Sequence, residues 1–144
     1  MDSTYIVAES TEWYSVQSNS FWMVSGNAHF NGSAIISGFN AIIDSGTSVI
    51  VAPTVAAKSF WAAIPNSAPY GNGYYTYDCD TPPSISFSFH NGPALWQLTV
   101  VSLGKVSASS SRCVGSIVGQ DIGVNAWVLG DSFMAGVYST FGAL

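Results

Sequence analysis

The chain has 144 residues, enough for one domain that buries roughly 68–70% of its unfolded surface and too few for a second domain of similar size. Three basic residues stand against eight acidic ones, which gives a formal net charge of −5. No basic patch can therefore neutralise phosphates or anionic headgroups, and we expect neither a nucleic acid nor a membrane as a partner.

Charged residues are unusually scarce. They make up 8% of the chain, whereas apolar residues make up 48%, and a typical protein is about one quarter charged. This balance suits a secreted protein that works in acid, where carboxylates lose their charge, and equally a fragment that hides surface against a partner. The start at Met1 shows no signal-peptide pattern, and no apolar run approaches the ~20 residues of a membrane span. We therefore expect a mature form or a piece of a longer protein.

Short strands dominate the first third of the chain. Residues 21–24 and 34–36 are apolar runs of strand length. Between them, Asn31-Gly32-Ser33 is a sequon for N-linked glycosylation and is consistent with a secretory route, although such triplets are common by chance. Asn31 is therefore a candidate glycosylation site.

Residues 41–51 place one carboxylate between two apolar runs, in the order Ala-Ile-Ile-Asp-Ser-Gly-Thr-Ser-Val-Ile-Val. The apolar runs predict two buried strands, so we expect the Asp44 turn to lie at a strand end and deep in the protein. A carboxylate there must be hydrogen-bonded or share a proton. This segment is the candidate catalytic site of the chain.

A helix is predicted over residues 53–64. Pro53 suits its first turn, Ala56, Phe60 and Ile64 share one face, and Pro65 ends it. Farther along, Cys79 and Cys113 lie 34 residues apart in segments that look like strand ends. For an extracellular chain one disulfide is the favoured interpretation, worth roughly 3–4 kcal/mol by chain entropy; two buried free thiols are the alternative.

The second half is again mostly strand. Residues 84–89 alternate Ser with Ile or Phe, which predicts a strand with a buried apolar face and with its serines on the solvent-exposed face. The Asn-Gly pair at 91–92 indicates a hairpin into a strand over residues 95–101. Further strands are predicted at 113–118 and 137–141. A single helical turn is predicted to begin at Asp131, whose carboxylate could cap the amides of Phe133 and Met134. The class is mostly β, with one short helix and one helical turn.

Four segments, taken in chain order, resemble a known family: residues 21–24, residues 42–48 with the acid loop at Asp44, the two cysteines around residues 82–87, and residues 127–133 followed by 137–141. Together they resemble the C-terminal lobe of pepsin-like aspartic proteases, most closely the secreted fungal enzymes. The likeness covers essentially the whole chain. It implies one lobe of the β-barrel fold of that family, with a ψ-loop in which Val128, Leu129 and Gly130 cross the acid loop.

The resemblance also implies roles for the residues around Asp44, the expected catalytic acid. Gly46 would allow the tight turn, Ser45 would hydrogen-bond to a partner loop, and the Thr47 hydroxyl would donate to the outer carboxylate oxygen of Asp44. Three neighbours would face or border the substrate cleft: Ile42, Ser48 and Val49. For Ile42 and Val49, core packing is an equally weighted alternative.

The family's reaction needs two such acids, which share a proton and hold a water between them, so that one acts as base and the other as acid. This chain has one acid loop. Asp131 and Asp121 do not sit in a second copy of it. We therefore expect residues 1–144 to form a single domain, the C-terminal lobe, without the N-terminal lobe and without the final strand, because the chain ends at Leu144.

Three functions remain open. The first is a secreted aspartic endopeptidase lobe that is inactive alone. The second is a homodimeric protease that pairs two copies of Asp44 across a two-fold axis. The third is a binding or bioactive module that catalyses no reaction. The expected partners are a peptide or protein substrate and either the missing lobe or a second copy. We expect no cofactor and no metal, because His29 and His90 are isolated and lack ligand spacing.

Overall fold

The computed structural model describes residues 23–90 and 94–136 of the chain. Strands account for most of the regular structure there, and two helices accompany them, as predicted for a mostly β protein. The strands are β1 (Met23–Phe30), β2 (Ser33–Ile43), β3 (Ile50–Ala52), β4 (Ala68–Gly71), β5 (Tyr74–Asp78), β6 (Ile85–Phe89), β7 (Trp96–Gln97), β8 (Ser102–Lys105), β9 (Arg112–Gly115), β10 (Ile117–Gly119) and β11 (Trp127–Leu129). The helices are α1 (Thr54–Ala62) and α2 (Asp131–Met134).

The strands form two sheets. Seven lie in the order β10-β3-β11-β2-β1-β6-β7, and four lie in the order β4-β5-β9-β8. Within the described residues the sheets do not close into a barrel. The β1–β2 hairpin turns at Asn31 and Gly32, with φ values of 52° and 81°. Two successive positive φ values are those of the two-residue hairpin turn that Asn-Gly favours.

The predicted crossing is present in the large sheet. Strand β11 lies between β2 and β3, parallel to β2 and antiparallel to β3. A strand that is late in the chain thus separates two early strands that are joined only by the acid loop. This is the ψ-loop that the resemblance implied.

Helix α1 covers the core. Its buried residues are Ala57, Phe60 and Trp61; Ala56, placed on the buried face by the sequence, is only half-buried. The Trp61 ring stacks on Tyr75 and Tyr77 with ring centroids 5.8 and 6.2 Å apart. Its indole Nε1 donates to the Ile117 carbonyl oxygen at 3.0 Å.

The predicted helix over 53–64 is shorter at both ends. Pro53 is its N-cap residue, with an extended ψ of 145°, and offers no side-chain hydrogen bond. The helix start is capped instead from a distant loop, because the Asp121 carboxylate accepts hydrogen bonds from the Thr54 amide at 3.0 Å and from the Thr54 hydroxyl at 3.0 Å. This contact is not predicted from the sequence.

The prediction that the serines of residues 84–89 face water is wrong for Ser86 and Ser88, whereas Ser84 is exposed as predicted. All five residues of β6 are buried, including Ser86 and Ser88. The Ser88 hydroxyl lies 3.0 Å from Asn27 Nδ2 and 2.8 Å from His29 Nε2, both on the neighbouring β1. Hydrogen bonds to a neighbouring strand satisfy a hydroxyl away from water, which alternation alone does not reveal.

Two predicted strands also differ in length. The strand over 95–101 is reduced to β7, and the strand over 113–118 is divided at Ser116 into β9 and β10, which belong to different sheets. The Ser116 amide donates to the Val101 carbonyl oxygen and its own carbonyl accepts from the Ile50 amide. Ser116 is thus where the chain passes from one sheet to the other.

The disulfide between Cys79 and Cys113 is present, with Cα atoms 5.2 Å apart. It lies beside the pairing of β5 with β9, where Tyr77 is opposite Cys113. Residues 21 and 22, the Asn-Gly pair at 91–92 and the strand predicted over 137–141 lie outside the described residues. In the described part, no helix is both long enough and apolar enough to cross a membrane.

Candidate active site

Asp44 follows β2 directly, at the point where two parallel neighbours end together. Ile43 is opposite Leu129 at the end of the β2–β11 pairing, and the Asp44 amide donates to the Leu129 carbonyl oxygen at 3.2 Å. We call residues 44–49 the acid loop. It continues from the sheet edge and returns as β3.

Both carboxylate oxygens of Asp44 are held by the acid loop itself. The Gly46 amide donates to Oδ1 at 2.9 Å, and the Thr47 hydroxyl donates to Oδ2 at 2.9 Å. The hydrogen bond from Thr47 is the one that the resemblance implied. Two donors from one loop fix the direction in which the carboxylate points.

The expectation that the Asp44 turn lies deep in the protein is wrong for the chain as described. Asp44, Ser45 and Gly46 are exposed. The apolar runs on either side are buried as strands, but the loop between them extends past the edge of the sheet, where β2 and β11 have both ended. The expected hydrogen bonding of the carboxylate is present nevertheless.

Backbone hydrogen bonds anchor the far half of the acid loop. The carbonyl oxygens of residues 47–49 accept from three successive amides, those of Asp131 at 2.7 Å, Ser132 at 3.0 Å and Gly130 at 3.2 Å. We call this contact between residues 47–49 and 130–132 the crossing. A methyl group at position 130 would lie 2.1 Å from the Thr47 oxygen and 2.4 Å from the Val49 oxygen, so only glycine fits there.

Ser132 adds a side-chain contact that the sequence interpretation missed. Its buried hydroxyl donates to the Ser48 carbonyl oxygen at 2.9 Å, alongside the backbone amide of the same residue. The only sequence signal was a hydroxyl-bearing residue directly after Gly-Asp, and many serines occupy such positions without a structural role. Ser132 of α2 is thus hydrogen-bonded to the acid loop through both its amide and its hydroxyl.

The three residues expected at the cleft have different surroundings. Ile42 is buried with Val51, Ala126 and Val128 in a small apolar cluster, a placement that fits the core-packing alternative. Val49 is half-buried against the same cluster, and Ser48 is exposed.

The remaining described acids have other surroundings. Asp121 binds Thr54, and the Asp78 carboxylate accepts from the Asp80 amide. The predicted capping role of Asp131 is wrong, because the amides of Phe133 and Met134 donate to the Gly130 carbonyl oxygen instead. Over residues 23–90 and 94–136, no group of three His, Cys, Asp or Glu residues is placed to hold a metal ion.

Comparison with known proteins gives one consistent family. The model of the eukaryotic aspartyl protease family matches residues 1–143. An aspartic protease of Phaffia rhodozyma is 38% identical over 135 residues, which are 88% of this chain and 33% of that protein. Cathepsin D of Chionodraco hamatus is 38% identical over 72% of this chain and 28% of its own length.

A secreted aspartyl protease of Malassezia globosa is 33% identical over 79% of this chain and 28% of its own length. The chain thus spans a third or less of the length of these relatives. With the family match over nearly every residue and the Asp-Ser-Gly-Thr loop crossed by β11, this chain belongs to the eukaryotic aspartyl protease family.

Proposed function

We propose that residues 1–144 form a single domain, the C-terminal lobe of an aspartic endopeptidase, and that this lobe supplies Asp44 as one of two catalytic carboxylates. The N-terminal lobe and the final strand would lie outside this chain. Support comes from the family match and from relatives of which the chain covers only 28–33%.

The observation that carries the proposal is the presentation of Asp44. Its two oxygens are fixed by Gly46 and Thr47, yet the residue is exposed. The Asp121 carboxylate, by contrast, binds Thr54 at the start of α1. Among the described residues, the Asp44 carboxylate binds only its own loop, which leaves its outward side to a water molecule and a second acid.

The chemistry assigned to Asp44 is that of a carboxylate pair. Two carboxylates that share one proton hold a water between them; one takes a proton from the water as its oxygen attacks the peptide carbonyl carbon, and the other protonates the carbonyl oxygen. Proton transfer to the amide nitrogen then allows the C–N bond to break. The acid loop contributes orientation: Gly46 and Thr47 hold Asp44, and Ser45 would bond to the partner loop.

The second acid must come from elsewhere. Among the described residues, no other carboxylate shares the donors of Asp44. The lobe alone is therefore proposed to be inactive. Peptide or protein substrates would lie against the exposed Ser48, with Val49 at the border and Ile42 supporting it from the core. The disulfide and the low charge support a secreted, extracellular protein, and the chemistry requires no cofactor.

The test is peptide cleavage at acid pH by the full-length protein and its Asp44→Asn variant. Asn keeps the size of Asp but cannot accept or deliver the shared proton, so kcat is expected to fall by about 10²–10⁴-fold or more. Asp80→Asn is the matched control, because Asp80 is exposed and its carboxylate makes no hydrogen bond to another described residue. Full activity in Asp44→Asn would contradict the proposal.

A dilution series of the isolated 144-residue chain separates the alternatives. The proposal predicts no cleavage at any concentration. Activity that rises steeply with concentration and is lost in Asp44→Asn would instead indicate a homodimer with two copies of Asp44 at its centre. A ligand that binds equally well after Asp44→Ala, with no cleavage by the full-length protein, would indicate a binding module.

A further inference from the structure

The glycosylation sequon has a well-defined place in the fold. Asn31 and Gly32 form the two-residue turn of the β1–β2 hairpin, with Phe30 opposite Ser33 as its last pair. All three residues of the sequon are exposed. An Asn-X-Ser triplet marks a surface acceptor only when it is accessible, and this one lies at the tip of a hairpin. The sequence contains no second Asn-X-Ser or Asn-X-Thr triplet.

The Asn31 side chain is also available. Its backbone amide donates to the Ser84 carbonyl oxygen at 2.9 Å, which fixes the turn, but its side-chain amide makes no hydrogen bond to another described residue. Two other asparagines of the same sheet differ. Asn27 Nδ2 donates to the Ser88 hydroxyl and the His90 carbonyl oxygen, and Asn40 Nδ2 lies 3.5 Å from the Asn125 carbonyl oxygen.

Asn31 lies at the opposite end of β2 from the acid loop. Strand β2 has 11 residues, which at ~3.3 Å per residue correspond to roughly 35 Å of extended chain. A bulky group on Asn31 would therefore leave Asp44 accessible. It would also add polar surface to a chain in which only 8% of residues are charged.

We propose that Asn31 carries an N-linked glycan, attached to its side-chain Nδ2, in the secreted protein. The inference rests on the secretory route of the proposed function but not on catalysis. The ligand is an oligosaccharide transferred from a lipid-linked donor in the secretory pathway: the Nδ2–C1 glycosidic bond forms as the sugar–phosphate bond of the donor breaks, and Nδ2 loses one proton.

The test uses the full-length protein expressed behind a secretory signal in a glycosylating eukaryotic host. Mass spectrometry of the peptide that contains residue 31 is expected to show a glycan, and peptide N-glycosidase should release it and leave Asp at this position. Two variants should lack the glycan: Asn31→Asp, which keeps a residue suited to positive φ and to the Asp-Gly hairpin turn, and Ser33→Ala. Ser33→Thr should retain it.

The proposal is overturned if wild type and Ser33→Thr are both secreted with residue 31 unmodified. Its failure is distinct from failure of the proposed function. A glycosylated but inactive wild-type protein would refute the catalytic assignment and leave Asn31 as the glycan site. An active protein without the glycan would refute the glycan site and leave the catalytic assignment in place.

Discussion

The crossing and the aromatic core are held together by different means. At the crossing, three carbonyl oxygens of the acid loop accept from the amides of residues 130–132, and the loop's side chains are mostly exposed. In the aromatic core, Phe60, Trp61 and Trp127 are almost fully buried, and the Phe60 ring contacts both tryptophan rings edge to face. Backbone geometry therefore positions the candidate active site, whereas side-chain volume stabilises the domain around it.

The largest effect is expected for Gly130→Ala at the crossing. The added methyl group would lie 2.1 Å from the Thr47 carbonyl oxygen, a contact with backbone that no rotamer change relieves. We expect a loss of about 5 kcal/mol or more in unfolding free energy, or failure to fold, measured by chemical denaturation. At Gly123, where φ is +87° and the space is open, Ala should cost only about 1–2 kcal/mol. Equal effects at both positions would remove the close approach as the cause.

The aromatic core gives the next largest effect. Trp61→Ala removes a ring that is 1% exposed and stacked on two tyrosines, so the unfolding free energy should fall by about 3–5 kcal/mol. Tyr70→Ala, at a side chain that is 52% exposed, should stay within about 0.5 kcal/mol. If the Trp61 variant were as stable as the Tyr70 variant, the contrast between the two regions would be wrong.

A smaller effect is expected at the start of α1. Asp121→Ala removes the acceptor of the Thr54 amide and hydroxyl, which should cost about 1 kcal/mol. The measurement is the urea midpoint, compared with that of Asp80→Ala as an exposed control. No difference between the two variants would show that solvent replaces Asp121 at the helix terminus without loss.

The smallest change in stability is expected for Ser132→Ala. The Ser48 carbonyl oxygen keeps its bond from the Ser132 amide after the hydroxyl is lost, so the cost should be about 0.5–1.5 kcal/mol. In the full-length enzyme, kcat should fall by less than about tenfold. Ser59→Ala, at an exposed position on α1, is the control and should change neither quantity. A larger loss at Ser132 than at Gly130 would reverse the assignment of the crossing to backbone contacts.

Local patterns predicted the acid loop, the crossing strand, the disulfide partners and the long helix, because each depends on residues that are close in sequence or on a family pattern. The burial of Ser88 could not be predicted, since its hydroxyl is hydrogen-bonded to a strand about 60 residues earlier. The Asp121 cap on α1 is of the same kind, with 67 residues between its partners.

The exposure of Asp44 shows another limit. Apolar runs on both sides correctly predicted two buried strands, but burial of the strands does not extend to the loop that joins them. Asp44 is exposed because β2 and β11 both end just before it, and the last pair between these strands is Ile43 with Leu129. Such long-range pairing is not visible in the periodicity of either strand.

The most direct test of the central claim is a crystal structure of the full-length protein with a peptide analogue that carries a hydroxyl in place of the hydrated carbonyl. We predict that this hydroxyl lies within hydrogen-bond distance of the Asp44 carboxylate and of a second carboxylate from outside residues 1–144. An analogue bound away from Asp44, or a second carboxylate supplied by this same chain, would contradict the account.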